Sequence, residues 1–103
     1  MNREKSMGMS IGGHNYIIVL KDLSNNDKNN ILYGRHMVEE NIILINKNIE
    51  ESRQKETLIH EILHSIHFNC GLEHDEKTIE ALSNGLFQLG IGDYLWEKAQ
   101  KGY

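Results

Sequence analysis

An α+β fold is predicted, with a short sheet of about three strands in the N-terminal half packed on a long helix and a second C-terminal helix. Two patterns predict it. Tyr16 to Leu20 and Ile42 to Ile45 are short, aliphatic and largely β-branched, whereas beyond residue 47 the apolar residues recur with a helical period almost to the end. The 103 residues suffice for one modest core, hence a single domain over 1–103. The chain has no proline, no internal repeat and no shift in composition that would mark a boundary.

The strands are expected within about 14–46. Tyr16 to Leu20 forms one, and Ile42 to Ile45 suits a strand buried on both faces. Ser24 to Asn30 is almost entirely Asn, Asp, Ser and Lys, side chains that bond their own backbone in turns, so it reads as a solvated loop. Ile31 to Val38 is a weaker strand candidate, turned back by Glu39 to Asn41 into a hairpin with the Ile42 run. Asn48 followed by Glu51 is a capping-box pattern opening a helix over 48–69, with Gly71 as its stop. A second helix over 75–90 opens at the N-cap Asp75, carries Ile79, Leu82, Leu86 and Leu89 on one stripe, and ends near Gly90. A short last helix covers 94–100. Asn84-Gly85 would signal a hairpin elsewhere, but the flanking period is helical, and Gly85 is expected to permit close helix packing. Phe87, Leu95 and Trp96 are expected to seal the C-terminal helices onto the core, and Cys70 to be a small, at least half-buried residue at a helix end.

Composition narrows the function. Hydrophobic content of 39% and charged content of 25% are those of an ordinary globular chain. A net charge of −4 offers no basic footprint for nucleic acid. The residues up to Ser10 contain no apolar signal-peptide core and no aliphatic run spans a bilayer, so a cytoplasmic location without membrane partners is expected. Cys70 is the single cysteine, which excludes an internal disulfide and a thiolate cluster. Any metal must be held by His, Asp or Glu.

His60-Glu61-Ile62-Leu63-His64 is the motif with chemistry in it. At about 100° per residue, with His60 at zero, His64 falls near 40° and Glu61 near 100°, while Leu58, Ile59, Ile62, Leu63 and Ile66 spread over roughly 160° to 300°. The histidines thus border the apolar stripe, where two imidazoles at i and i+4 can reach one ion and a neighbouring carboxylate stays free. Glu61 is then placed to take a proton from metal-activated water. A zinc-dependent metallopeptidase is the expected function. The third ligand has several candidates. His67, near 340°, shares the ligand face, but three ligands on one straight helix close poorly around a tetrahedral ion. Glu76 and Glu80, on a helix folded back against the first, are better placed, and by helix geometry alone either could reach the ion, with His67 as an alternative. His74 and Asp75 are further candidates in the loop.

Thr57 to Gly71, together with Glu76-x-x-Ile79-x-x-Leu82-Ser83-Asn84-Gly85-Leu86, resembles the minimal gluzincin-like metallopeptidases related to the ImmA/IrrE group, including short phage and mobile-element proteins. About a third of the chain carries the resemblance strongly. It implies a small zincin-like core, one zinc ion, a third ligand from the following helix with an acidic residue four positions later, hence Glu76 as ligand and Glu80 as its outer partner, with the reverse assignment as the alternative, and cleavage of a protein such as a transcriptional repressor. The metzincin pattern H-E-x-x-H-x-x-G-x-x-H is not met, since His67 stands at its glycine and Cys70 at its last histidine. The alternative is a non-catalytic zinc-binding regulator of phage or mobile-element origin that docks to a protein partner. An RNA hydrolase is disfavoured by the acidic charge. Tyr16, Tyr33, Tyr94, His36 and His67 are the available donors to an oxyanion.

Overall fold

The computed structural model describes residues 6–23, 32–73 and 75–102. The loop expected at Ser24 to Asn30, the first residue of the Ile31 run and the ligand candidate His74 lie outside the described residues. The fold is α+β, with a mixed four-stranded sheet and three α-helices.

The sheet begins earlier than expected and has one more strand. β1 (Ser6–Ile11) and β2 (His14–Lys21) form an antiparallel hairpin in which Ile11 pairs with His14. Met7, Met9 and Ile11 alternate with small residues and are all buried, which gives the strand its inner face. Gly12 and Gly13 have φ of 59° and 82°, positive at both central positions as a type I′ turn requires. β3 (Gly34–Met37) leads through a 3-10 turn at Val38–Glu40 into β4 (Ile42–Asn46), the hairpin expected there. β4 lies between β3 and β2, antiparallel to the first and parallel to the second, giving the order β1-β2-β4-β3. Despite this interior place, β4 is not buried on both faces. Ile43 and Ile45 are fully buried, while Ile42 and Leu44 are half-buried on the opposite face, next to Ile17, which is 43% exposed.

α1 (Glu51–Cys70) lies on the inner face. Its Leu58 and Ile62 join Met7, Met9, Tyr16, Ile18, Ile43 and Ile45 in one core, closed by Trp96 and Ala99 of α3 (Ile91–Lys101). Leu95 packs against this core, as expected, and Phe87 is half-buried. The helix opens at Glu51 and not at Asn48, and its N-cap Glu50 makes no side-chain cap bond. The capping box fails because Asn48 is engaged elsewhere: its Nδ2 donates to Asp22 Oδ1 (2.9 Å) and its backbone N–H donates to Asn46 Oδ1 (2.9 Å). Asn46, only 1% exposed, is the organising residue of this corner. Its Nδ2 donates to the Leu32 carbonyl (3.0 Å), its N–H donates to the Tyr33 carbonyl (2.8 Å), and its own carbonyl accepts from Gln54 Nε2 (3.2 Å).

Gly71 ends α1 with φ of 71°, as expected of a left-handed C-cap. Cys70 beside it is exposed and not half-buried, since the last turn of α1 meets the strands through Phe68 and Asn69, whose ring and amide lie against His36 and Tyr16. α2 (Glu76–Gln88) starts at the N-cap Asp75. Its inner face is rotated from the expected stripe: Ile79 and Ser83 are buried, whereas Leu82 and Leu89 are 47% and 76% exposed. The cause is polar, since α2 faces the Glu56 turn of α1, where Ser83 Oγ donates to the Glu56 carbonyl (3.4 Å). Gly85 does not mediate close packing; a Cβ there would meet nothing within 4 Å. The tight crossing is at Gly92, where a Cβ would lie 3.3 Å from both Lys55 Cβ and Phe87 Cδ1. α3 begins at Ile91, three residues ahead of expectation, because Gly90 with φ of 83° turns the chain directly from α2 into the next helix. No helix among the described residues is long and apolar enough to cross a membrane.

Candidate metal centre

Helical spacing places His60 and His64 side by side on α1, with ring centroids 4.8 Å apart and planes inclined at 58°. Their Nε2 atoms are 3.1 Å from one another. Glu76, the first residue of α2, closes the third side. Its Oε1 lies 2.8 Å from His60 Nε2 and its Oε2 lies 3.2 Å from His64 Nε2. Among the described residues this trio is the group of three or more His, Cys, Asp or Glu whose ligand atoms converge, all within 4.8 Å. Nitrogen and oxygen ligands about 2.0–2.2 Å from a tetrahedral ion stand roughly 3.3–3.5 Å apart. The spacing and the donor chemistry therefore fit a metal ion.

The position of Glu76 depends on the residue before it. Asp75 accepts from the Lys77 backbone N–H at Oδ1 (3.2 Å) and from Thr78 Oγ1 at Oδ2 (2.8 Å), which starts α2 at Glu76. The Thr78 hydroxyl bond, with further bonds from the backbone N–H groups of Thr78 and Lys77, holds the Asp75 carboxyl below its ordinary value of 3.8. A depressed acid stabilises the fold above its unfolded pKa, and that contribution is lost as pH falls through the folded one. Asp75→Ala is accordingly expected to lower Tm by a few degrees at pH 7 and to loosen metal binding through Glu76, with the Tm difference narrowing in acid. Paired thermal melts at pH 7 and pH 3 check it.

Glu61 lies on the core side of the histidines and is 8% exposed. Burial first, and the negative charge of Glu76 second, push its carboxyl from 4.5 up to about 7. Below it Ser65 Oγ donates to the Glu61 carbonyl (3.0 Å). Glu61 shares with His60 and Glu76 a cleft of about 430 Å³, whose other walls are Tyr33 and Gly34 of the β3 side, Glu56 and Thr57 of α1, and Glu80, Ser83 and Asn84 of α2.

Glu80 lines this cleft but stands outside the converging trio. His67 is also outside it; its Nδ1 donates to the Leu63 carbonyl one turn back (2.9 Å). Asp75 is occupied as a cap. Of the five candidate oxyanion donors, Tyr33 alone is on the cleft wall. Tyr16 is 1% exposed beneath the sheet, where its hydroxyl accepts from Asn69 Nδ2 (3.4 Å) and its ring lies 5.6 Å from that of His36. Tyr94 is 64% exposed on α3.

Sequence reasoning missed Gly34, Glu56, Thr57, Ser83 and Asn84 as cleft residues. Glu56 carried a signal, since it precedes His60 by one helical turn. Gly34 carried none. A Cβ there would collide with Thr57 Cγ2 and sit 3.0 Å from the Leu44 carbonyl, so only glycine lets β3 approach α1 this closely. Gly34→Ala is expected to cost about 1–3 kcal/mol by overpacking and to displace the cleft wall, which denaturant titration and the crystal structure of the variant will measure.

Comparison of the chain with protein-family models, with curated proteins and with solved structures yields no match.

Proposed function

We propose that this protein is a zinc-dependent peptide hydrolase. The observation that supports this reading best is the Glu76 carboxylate, from the next helix, set against both histidine Nε2 atoms while the buried Glu61 stays outside the trio. His60, His64 and Glu76 hold the ion, a borderline-soft N,N,O set that suits zinc and leaves a fourth position open. A zinc ion there supplies Lewis acidity and lowers the pKa of a coordinated water to near 7. Glu61, buried beside the trio on the cleft wall, takes the proton of the attacking water. Tyr33, a residue of the cleft wall, is the proposed donor to the developing oxyanion. A sheet laid on the motif helix and a third ligand from the following helix are in keeping with a gluzincin-like core of the ImmA/IrrE kind, with a protein or peptide as substrate.

The test combines two measurements on the full chain. An anomalous map at the zinc edge is expected to show one peak touching His60, His64 and Glu76, and the zinc-loaded protein is expected to cleave a peptide library in a chelator-sensitive way. A peak on other residues, or a loaded protein that leaves every peptide intact, would refute the reading.

A further inference from the structure

The side of the sheet turned away from the metal centre is unlike an ordinary solvent face. α1 and α3 pack on the face that carries Ile18, Ile43 and Ile45, and α2 packs on those two helices, so among the described residues no helix lies across β2 and β4 on the other side. A sheet covered on one face commonly turns polar residues outward. Here strand alternation turns out Ile17 and Val19 of β2, Ile42 and Leu44 of β4, and Met37 of β3. The register makes them one patch: Ile17 stands beside Ile42 and Ile42 beside Met37, while Val19 stands beside Leu44 and Leu44 beside Arg35. Ile17 is 43% exposed and the other apolar residues of the patch are half-buried. A contiguous apolar patch rimmed by charges marks a contact surface.

The charges of this rim are sorted by end. Beyond Met37 and Ile42 the connection from β3 to β4 carries Glu39 and Glu40, both exposed. At the opposite end stand Arg35 beside Leu44, Lys21 beside Asn46, and Lys47, whose backbone N–H donates to the Lys21 carbonyl (2.9 Å); all three side chains are exposed. Among the described residues none of these five charged groups is engaged in an ion pair. A patch with acid at one end and base at the other is complementary to a copy of itself turned end for end. Face-to-face pairing about a two-fold axis that runs across the strands sets Glu39 and Glu40 of each copy against Arg35 and Lys47 of the other, and lays the apolar rows on one another at the usual sheet separation of about 10 Å. A two-fold axis along the strands would instead stack cations on cations and carboxylates on carboxylates.

We infer that the outer face of the sheet is an interface between two copies of this chain, packed with their strands antiparallel, Ile17, Val19, Ile42 and Leu44 at its centre and the charged ends paired crosswise. His60, His64 and Glu76 belong to the helices on the other side of the sheet, so the pairing is independent of the metal. Four strands about 4.8 Å apart and about five residues long make a small face. The pair therefore belongs to the weak class of interfaces, which bury less than about 1,200 Å² in total.

Sedimentation equilibrium of the full chain tests it, in about 0.1 M salt, where the net charge of −4 is screened beyond about 10 Å while close charge pairs persist. The mass is expected to rise from that of one chain at about 10 µM to that of two at about 1 mM, alike with and without zinc. Arg35→Glu in one variant, and Glu39→Lys with Glu40→Lys in another, each set like charges opposite one another. Each is expected to weaken self-association about tenfold, with Tm and the far-ultraviolet spectrum of the parent retained. Mixing the two variants is expected to restore association, because every crosswise contact of the mixed pair joins opposite charges. Ile17→Lys, at the centre of the patch, is expected to abolish association alone and in any mixture. A parent chain that stays single at every concentration, self-association that Arg35→Glu leaves unchanged, or folded variants that fail to associate on mixing overturns the interface.

Discussion

Glu61→Gln is expected to lower kcat/KM for peptide hydrolysis by about 10²–10⁴-fold while zinc remains bound at one ion per chain. Gln keeps the shape and burial of the side chain but cannot accept the proton of the attacking water. His60, His64 and Glu76 are untouched, so the ion should stay. The same substitution has a second, opposite signature in the metal-free protein. Glu61 titrates near 7 when folded and near 4.5 when unfolded, so between these values the unfolded chain has released a proton that the folded chain still holds. Folding is penalised progressively across that window and by a constant amount above it. Gln carries no such penalty. Metal-free Glu61→Gln should therefore be more stable than the parent at pH 8, by something on the order of 1–3 kcal/mol, and lose that margin by pH 4. Steady-state kinetics and urea titrations at the two pH values test the pair. Full biological effect retained by the zinc-loaded variant would instead point to a protein that acts by docking.

Glu76→Ala is expected to weaken zinc binding by at least about 100-fold, more than the 10–100-fold typical of losing an outer partner of a metal ligand. Glu80→Gln is expected to leave zinc affinity within a factor of about 3 of the parent, since Glu80 stands outside the converging trio. Competition titration against a zinc chelator measures both. A large loss with Glu80→Gln and none with Glu76→Ala would reverse the ligand assignment.

Much of this site is legible in the sequence because its geometry is local. Helical periodicity alone puts His60 and His64 on one face and Glu61 at the core edge, and the structure has them there. Asp75 as N-cap is similarly local, and it carries Glu76 with it. What escapes is long-range or depends on competition between local partners. Asn48 and Glu51 spell a capping box, yet Asn46 and Asp22 compete for Asn48 and win. The rotation of α2 that exposes Leu82 and buries Ser83 follows from the polar surface it meets on α1, which no periodicity encodes. Gly34 reads as an ordinary strand residue until the approach of Thr57 is known. β1 is a different case, because its signal was present. Gly12-Gly13 between the alternating Met7, Met9, Ile11 and Tyr16, Ile18 is the pattern of a two-residue hairpin, masked by methionines that look like scattered residues when strand formers are sought.

The bonds of Asn46 have a mechanical meaning. By holding the Leu32 and Tyr33 segment and, through Gln54, the start of α1, they tie one wall of the cleft to the histidine helix. The opposite wall is α2, which follows α1 after Gly71 and meets it at the Ser83 bond and at Glu76. An ion held as proposed, by α1 and the first residue of α2, would be a clasp between the two halves of the cleft. Metal occupancy would then oppose local opening of α2, and saturating metal would raise the cost of that opening as the logarithm of its concentration over Kd.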